Sequence, residues 1–291
     1  MTVTDLAEAI RRLRTAGCVF AEDEAAVLGE AATDARHLAE LVGRRARGEP
    51  LEQVVGYADF CGVRVRLRRG VFVPRVRSEL LVHTAAAEQD DNHTTAAEQD
   101  DNHTTAAEQD DNRTTAAKQG VVVVDLCCGS GALGLALRRL RPDITLYAAD
   151  HDPAAVACAL DNLGGDVFQG DLFDALPAGL RGRIDILLAN VPYVATRHIP
   201  LLPAEAREHE PHRALDGGGD GLDVFRAVVA GAARWLSPGG LMLSEISEAQ
   251  TAAAVAAVRA AGLLPDLAED DELDARVVTA RRAGQGVSGG P

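Results

Sequence analysis

The chain has 291 residues, 47% hydrophobic but only 3% aromatic, so any core must be built mostly from Ala, Val and Leu. Acids outnumber bases 44 to 29, a formal net charge of -15, which argues against broad electrostatic wrapping of nucleic acid while leaving room for a small basic site. No stretch of about 18 apolar residues is present to span a membrane, and the opening MTVTDLAEAIRRL has no apolar leader segment, so a cytoplasmic protein is expected.

Leu6, Ile10 and Leu13 recur at helical spacing, and Val27, Leu28, Leu38, Leu41 and Val42 continue the pattern through residue 43. Gly17, Gly29 and Gly43 lie near the ends, so residues 1–50 read as a small helical bundle. The period then changes. Val63, Val65 and Leu67 alternate with Arg64, Arg66 and Arg68 between Gly62 and Gly70, which predicts a short hairpin with one apolar and one cationic face. Nine arginines and three acids lie between Arg44 and Arg77. They form either a solvated face or a docking surface for an anionic or ribosome-associated partner. With no interleaved aromatics, a base-stacking surface is not expected.

Residues 83–119 are a repeat, HTAAAEQDDN HTTAAEQDDN HTTAAEQDDN RTTAAKQ, with nine acids and two bases. Each unit offers only Ala as an apolar residue, so the segment is expected to support no core and to form a surface insertion. Asp-Asp-Asn is expected to stop any helical turn, and His83, His93 and His103 are not held in coordination geometry. Five cysteines, odd in number and without zinc-site spacing, fit a reducing compartment. No metal site is expected.

Val121–Val124 form a continuous apolar run, as a buried parallel strand does. The run reaches Asp125, enters the turn Cys127-Cys128-Gly129-Ser130-Gly131, and passes into a helix with Leu133, Leu137 and Leu140 on one side. A second strand, Ile144 to Ala149, ends in Asp150, placed to accept hydrogen bonds from ribose hydroxyls. Glycines let a backbone pass close to a ligand. Because Gly129, Gly131 and Gly134 also fit a dinucleotide pattern, the glycines do not discriminate between cofactors. The run Asp125-Leu126-Cys127-Cys128-Gly129-Ser130-Gly131 resembles motif I of class I S-adenosylmethionine-dependent methyltransferases. Cys127 and Cys128 are expected to serve as small side chains beside the cofactor.

Further on, Asp171 follows a strand and suits an adenine edge, with Leu172 and Phe173 as apolar neighbours. Ile184 to Ala189 form the next buried strand, followed by Asn190-Val191-Pro192-Tyr193 at its carboxyl end, the active-site face of an open sheet. A carboxamide nitrogen is a feeble nucleophile. The Asn190 side-chain oxygen can accept one of its N–H groups and the Val191 carbonyl the other, which aims the nitrogen at an electrophilic methyl. Pro192 stiffens the loop and Tyr193 offers a flat wall, so catalysis is expected to be mainly alignment and electrostatic preorganisation.

These motifs together resemble the HemK/PrmC family of protein-(glutamine-N5) methyltransferases. The strings that carry the resemblance are VVGYADFCG, VPRVRSELL with Pro74, Arg75 and Glu79, DLCCGSGALGLAL, AADHDPAAVACALDN, GDLFDAL, NVPY, EPHRALDGGGDGLDVFR and LSPGGLMLSEISEAQ. The resemblance implies an α/β, Rossmann-like class I methyltransferase fold with a small N-terminal helical domain. It implies S-adenosyl-L-methionine as cofactor, held by Asp125, Cys127, Cys128, Gly129, Ser130, Gly131, Asp150, Asp171, Leu172 and Asn190, and catalysis by Asn190, Val191, Pro192 and Tyr193. The implied substrate is a glutamine in the Gly-Gly-Gln loop of a peptide chain release factor.

The implied organisation is a helical substrate-recognition domain at 1–55, a hairpin and connecting segment at 56–82, and the repeat insertion at 83–119. A catalytic domain at 120–282 and a flexible tail at 283–291 complete it. The family quartet is Asn-Pro-Pro-Tyr, so Val191 is a departure, chemically mild because that position contributes a carbonyl. The alternative is an adenine-N6 methyltransferase, since an aromatic amine also presents two N–H groups. A monomer is expected, with no membrane partner and no nucleic acid substrate. Glu210 and Arg213 are read as a substrate loop or a surface salt link, Gly217–Gly219 as a flexible turn, and Trp235 as helix packing.

Overall fold

The structure, a computed structural model, describes residues 2–98 and 120–284. Four helices come first: α1 (Val3–Thr15), α2 (Ala21–Ala31), α3 (Ala35–Arg45) and α4 (Leu51–Val55). Thr2 and Asp5 close a capping box at the start of α1, and the Asp34 side chain caps α3. The apolar stripe read from the sequence becomes a separate small core of Leu13, Leu28, Leu38, Leu41, Val42 and Val54. The hairpin follows as antiparallel β1 (Tyr57–Phe60) and β2 (Val63–Arg66). Phe60 and Val65 are buried while Arg64 and Arg66 are exposed.

Helix α5 (Glu79–Glu98) runs through the first repeat unit and into the second. The expected stop at Asp90-Asp91-Asn92 does not occur, and the expectation that the repeat supports no core fails at its first turn. Ala85 is fully buried beside Leu81 and Val82, in the cluster that also holds Val123, Leu133 and Leu137. Once those contacts nucleate the helix, Asp and Asn cost only a few tenths of a kcal/mol each to propagate through. The rest of the repeat, including His103, lies outside the described residues, as does the tail beyond residue 284.

The remaining elements are β3 (Val122–Leu126), α6 (Ala132–Leu140), β4 (Thr145–Asp150), α7 (Pro153–Leu163), β5 (Val167–Gln169) and β6 (Ile184–Leu188). They are followed by α8 (Ala204–His209), α9 (His212–Leu215), α10 (Asp223–Trp235), β7 (Leu236–Glu245), α11 (Thr251–Ala260), β8 (Leu264–Asp270) and β9 (Ala275–Arg281). The strands form one seven-stranded sheet in the order β5-β4-β3-β6-β7-β9-β8. Only β9 runs against the others. Val122, Val124 and Leu126 of β3 pack with Phe225, Val228 and Trp235 of α10 on one face, while Val123 packs with Leu133 and Leu137 of α6 on the other. Burial on both faces explains the unbroken apolar run in the sequence. Trp235 is buried and stacks on Phe173 at 5.5 Å, as helix packing requires.

The sheet reverses direction of growth between β3 and β6, which opens a crevice at their carboxyl ends. Both predicted site motifs leave the sheet there.

The arginine-rich stretch is not an open cationic face. Seven of its nine arginines, all but Arg47 and Arg66, have a carboxylate within 4.0 Å. Several of those carboxylates arrive from far along the chain: Asp161, Glu205, Glu210 and Glu245. The stretch is largely neutralised from within, which weakens its reading as a contact for a polyanion.

Candidate active site

A cleft of about 690 Å³ opens over the carboxyl ends of β3, β4 and β6. The turn after β3 supplies Cys127, Cys128, Gly129 and Ser130 to its wall, β4 supplies Asp150, and Asp171 and Leu172 follow β5. Asn190, Val191, Pro192 and Tyr193 close the far side. Two predicted cofactor residues, Asp125 and Gly131, stand behind this wall rather than on it.

The glycines of the turn have different tasks. Gly129 has φ of +56° and open space where a Cβ would stand, so its backbone can face a ligand closely. At Gly131, with φ of +76°, a Cβ would lie 2.8 Å from Leu163 Cδ1, so that glycine serves the packing of α6 on α7. Asp150 fixes the turn: Gly129 N–H donates to its Oδ2 at 2.9 Å and Asp152 N–H to its Oδ1 at 2.8 Å. Asp125 accepts from Gly134 N–H at 2.9 Å and so holds the first turn of α6. Burial, with a smaller push from Asp150, raises the Asp125 carboxyl to about 7. Burial likewise raises Asp150 and both cysteine thiols, which keeps Cys127 and Cys128 in the neutral thiol form at neutral pH.

The hairpin is tied to this turn by Asn162 of α7. Its Nδ2 donates to the carbonyls of Ser130 and Arg66, each at 2.9 Å, and its Oδ1 accepts from Arg66 N–H at 2.8 Å.

The Asn190–Tyr193 quartet is held by residues the sequence reading did not single out. Asn190 Nδ2 donates to Ser78 Oγ at 3.0 Å and lies 3.5 Å from Glu245 Oε2. Ser78 Oγ donates to Glu245 Oε2 at 2.5 Å, and Tyr193 Oη donates to Glu245 Oε1 at 2.7 Å. Burial and the Glu245 charge push the Tyr193 phenol well above its ordinary value. Gln250 donates from Nε2 to the Tyr193 carbonyl at 2.8 Å and the Asp220 carbonyl at 3.1 Å, while its Oε1 accepts from Ser247. Gly217–Gly219 is not a loose turn. A Cβ at Gly217 would stand 2.6 Å from the Pro192 carbonyl, so this glycine lets the loop close onto the quartet.

Segment 74–79 is a hub. Arg75 pairs with buried Glu210 at 2.7 Å, Ser78 reaches Glu245, and Glu79 Oε1 accepts Cys61 N–H at 2.8 Å from the hairpin. Glu210 is therefore an internal anchor of the loop over the cleft, not a surface salt link. Arg213 lines the cleft and lies 3.6 Å from Asp152. His198, His209 and His212 form no metal cluster among the described residues. The helical lobe meets the cleft's edge through Arg45, whose guanidinium grips both Glu24 oxygens and donates to Glu205 of α8 at 2.9 Å.

The donor set suits S-adenosylmethionine. Carboxylates of Asp150, Asp152 and Asp171 face a cleft in which a cation and a ribose diol would need acceptors, and Leu126 and Leu172 give apolar walls for a base.

Comparison with known proteins agrees with this geometry. Residues 111–224 match the family model described as methyltransferase small domain. Two release factor glutamine methyltransferases are similar. That of Cereibacter sphaeroides is 36% identical over 82% of this chain and 78% of its own length, and that of Moorella thermoacetica is 34% identical over 91% and 94%. A 4-amino-L-phenylalanine/4-methylamino-L-phenylalanine methyltransferase of Streptomyces pristinaespiralis is 35% identical over 76% of this chain and 69% of its own.

Proposed function

Since the chain belongs to the release factor glutamine methyltransferase family, we propose that it transfers a methyl group to the side-chain amide nitrogen of a glutamine in a peptide chain release factor. The observation that carries this reading is the fixed Asn190 amide. Its NH2 is engaged by Ser78, and no described residue donates to its Oδ1, which is left to accept an N–H from the acceptor. The Val191 carbonyl is the second acceptor. Together they orient a weak amide nitrogen and take up the partial charge on its hydrogens as the new bond forms.

S-adenosylmethionine supplies the electrophilic methyl when bound. Cys127, Cys128, Gly129, Ser130, Asp150, Asp171 and Leu172 hold it, with Asp125 and Gly131 shaping the turn from behind. One cleft of a single chain is lined by both this turn and the quartet, which supports a monomer as the working unit. The helical lobe at 1–55 acts in substrate recognition, supported by its Arg45–Glu205 contact at the cleft's edge. Such an enzyme works in the cytoplasm, where its protein substrate is made; no helix of the described residues is long and apolar enough to cross a membrane.

The adenine alternative is disfavoured by the internal neutralisation of the arginine-rich stretch. Labelled S-adenosylmethionine offered with a release factor, its Gln→Ala loop variant, 4-amino-L-phenylalanine, DNA and RNA tests the reading. Label is expected in the release factor alone and is lost in the loop variant. Asn190→Ala should lower transfer by at least about 100-fold with little change in melting temperature. Labelling only of an adenine or of the free amino acid would overturn the substrate assignment.

A further inference from the structure

Glu245 is the last residue of β7, only 2% exposed, and it sits directly behind the quartet. An ionised carboxylate can only accept hydrogen bonds. Ser78 and Tyr193 must therefore donate to it, at 2.5 and 2.7 Å. With its proton spent on Glu245, the Ser78 oxygen is left to accept, and it accepts Asn190 Nδ2 at 3.0 Å. The same Nδ2 also lies 3.5 Å from Glu245 Oε2. Rotating the Asn190 amide by half a turn would bring Oδ1 against the Ser78 lone pairs and the carboxylate, and would present NH2 to the NH2 of an acceptor.

We propose that Glu245 is a positioning residue for methyl transfer: through Ser78 it selects the one orientation of the Asn190 amide that can receive the acceptor nitrogen, and it anchors the Tyr193 wall. The proposal rests on transfer to a nitrogen bearing two hydrogens, as argued above. It assigns Glu245 no contact with either substrate. Two hydroxyl donors, the Asn190 NH2 and the Arg77 guanidinium surround the Glu245 carboxylate, with Arg77 Nε 4.0 Å from Oε1.

The test is Glu245→Gln, close to isosteric but neutral and able to present NH2 where only acceptors are tolerated. With S-adenosylmethionine and a release factor as substrates, kcat should fall about 100-fold, the scale of a misplacement of about 1 Å, with cofactor Kd changed less than about twofold. Glu245→Asp keeps the charge and should recover part of kcat. Ser78→Ala breaks the relay while keeping the carboxylate, and the Ser78→Ala, Glu245→Gln pair should be no slower than Glu245→Gln alone.

A readout that needs no methyl acceptor is the ultraviolet titration of the three tyrosines, with Tyr193→Phe identifying the late-ionising phenol. That phenol should titrate at lower pH in Glu245→Gln and stay late in Glu245→Asp. An inactive wild type with this titration intact would sink the substrate reading and leave the Glu245 contacts standing. The proposal is overturned if Glu245→Gln keeps kcat within about twofold, if the Gln and Asp variants lose kcat equally in step with melting temperature, or if the paired losses multiply.

Discussion

The side chain of Gln250 donates to the main-chain carbonyl of Tyr193 at 2.8 Å, so the last residue of the quartet is held from the segment that follows β7. The same NH2 reaches the Asp220 carbonyl, which binds the glycine-rich loop into the arrangement. Gln250→Leu removes both bonds at a buried position. It should cost about 1–3 kcal/mol in urea unfolding for the carbonyls left without partners. It should also lower kcat for methyl transfer more than it alters cofactor affinity.

Gly221 and Gly219 form a matched pair of tests. At Gly221, with φ of +84°, an added Cβ would stand 2.3 Å from the Tyr193 carbonyl and 2.5 Å from Gln250 Nε2. At Gly219 nothing lies within 4 Å. Gly221→Ala should therefore lower both melting temperature and kcat, while Gly219→Ala should stay within about 0.5 kcal/mol of wild type. Equal stability of the two variants would mean that the loop does not close on the quartet as described.

Asp125 makes a pH prediction whose sign is fixed by its burial. Its carboxyl is raised from 3.8 to about 7 in the folded protein, so the native state holds a proton that the unfolded chain releases. Stability of the ligand-free protein should fall as pH rises from about 4 to about 7 and level off above. Asp150, also raised by burial, adds a slope of the same sign. Asp125→Asn removes its share, so the melting-temperature difference between variant and wild type should move in the variant's favour from pH 5 to pH 8. A difference independent of pH would contradict the assignment.

Deletions within the repeat should not be equivalent. Removing residues 84–117 takes away Ala85, which is fully buried, and the Glu88–Arg281 ion pair. That deletion should lower the melting temperature by several degrees. A deletion that begins after Glu98 spares these contacts and should leave thermal unfolding and cofactor binding close to wild type.

Much of this architecture is legible from composition along the chain because burial on both sheet faces demands unbroken apolar runs. Val121–Val124 and Ile184–Ala189 could hardly be anything but interior strands, and their carboxyl ends point out the site. Asn190 and the glycine turn are legible because their chemistry resides in the residues themselves. Ser78, Glu245 and Gln250 are different. Each is an ordinary polar residue until the fold brings it to a partner, and Ser78 and Glu245 are 167 positions apart. The available clue was an acid two residues past the apolar run Leu241–Leu243 of β7, next to the strand that delivers Asn190. The arginines between Arg44 and Arg77 mislead for the same reason, since several of their carboxylates come from the catalytic half. In α5 the local stop signal is overridden by tertiary contacts at the helix's start.

The three tethers of segment 74–79 have an evolutionary consequence. Arg75 engages the loop over the cleft, Ser78 the floor beneath Asn190, and Glu79 the hairpin, all within five consecutive residues. Shifting this short stretch to suit one neighbour displaces the other two. Substitutions at Glu210, Glu245 and the Cys61 turn should therefore show epistasis with one another, although those residues are far apart in sequence. New acceptor specificities should arise more readily outside this stretch, at positions such as exposed Leu201 beside cleft-lining Leu202, which carry no such shared constraint.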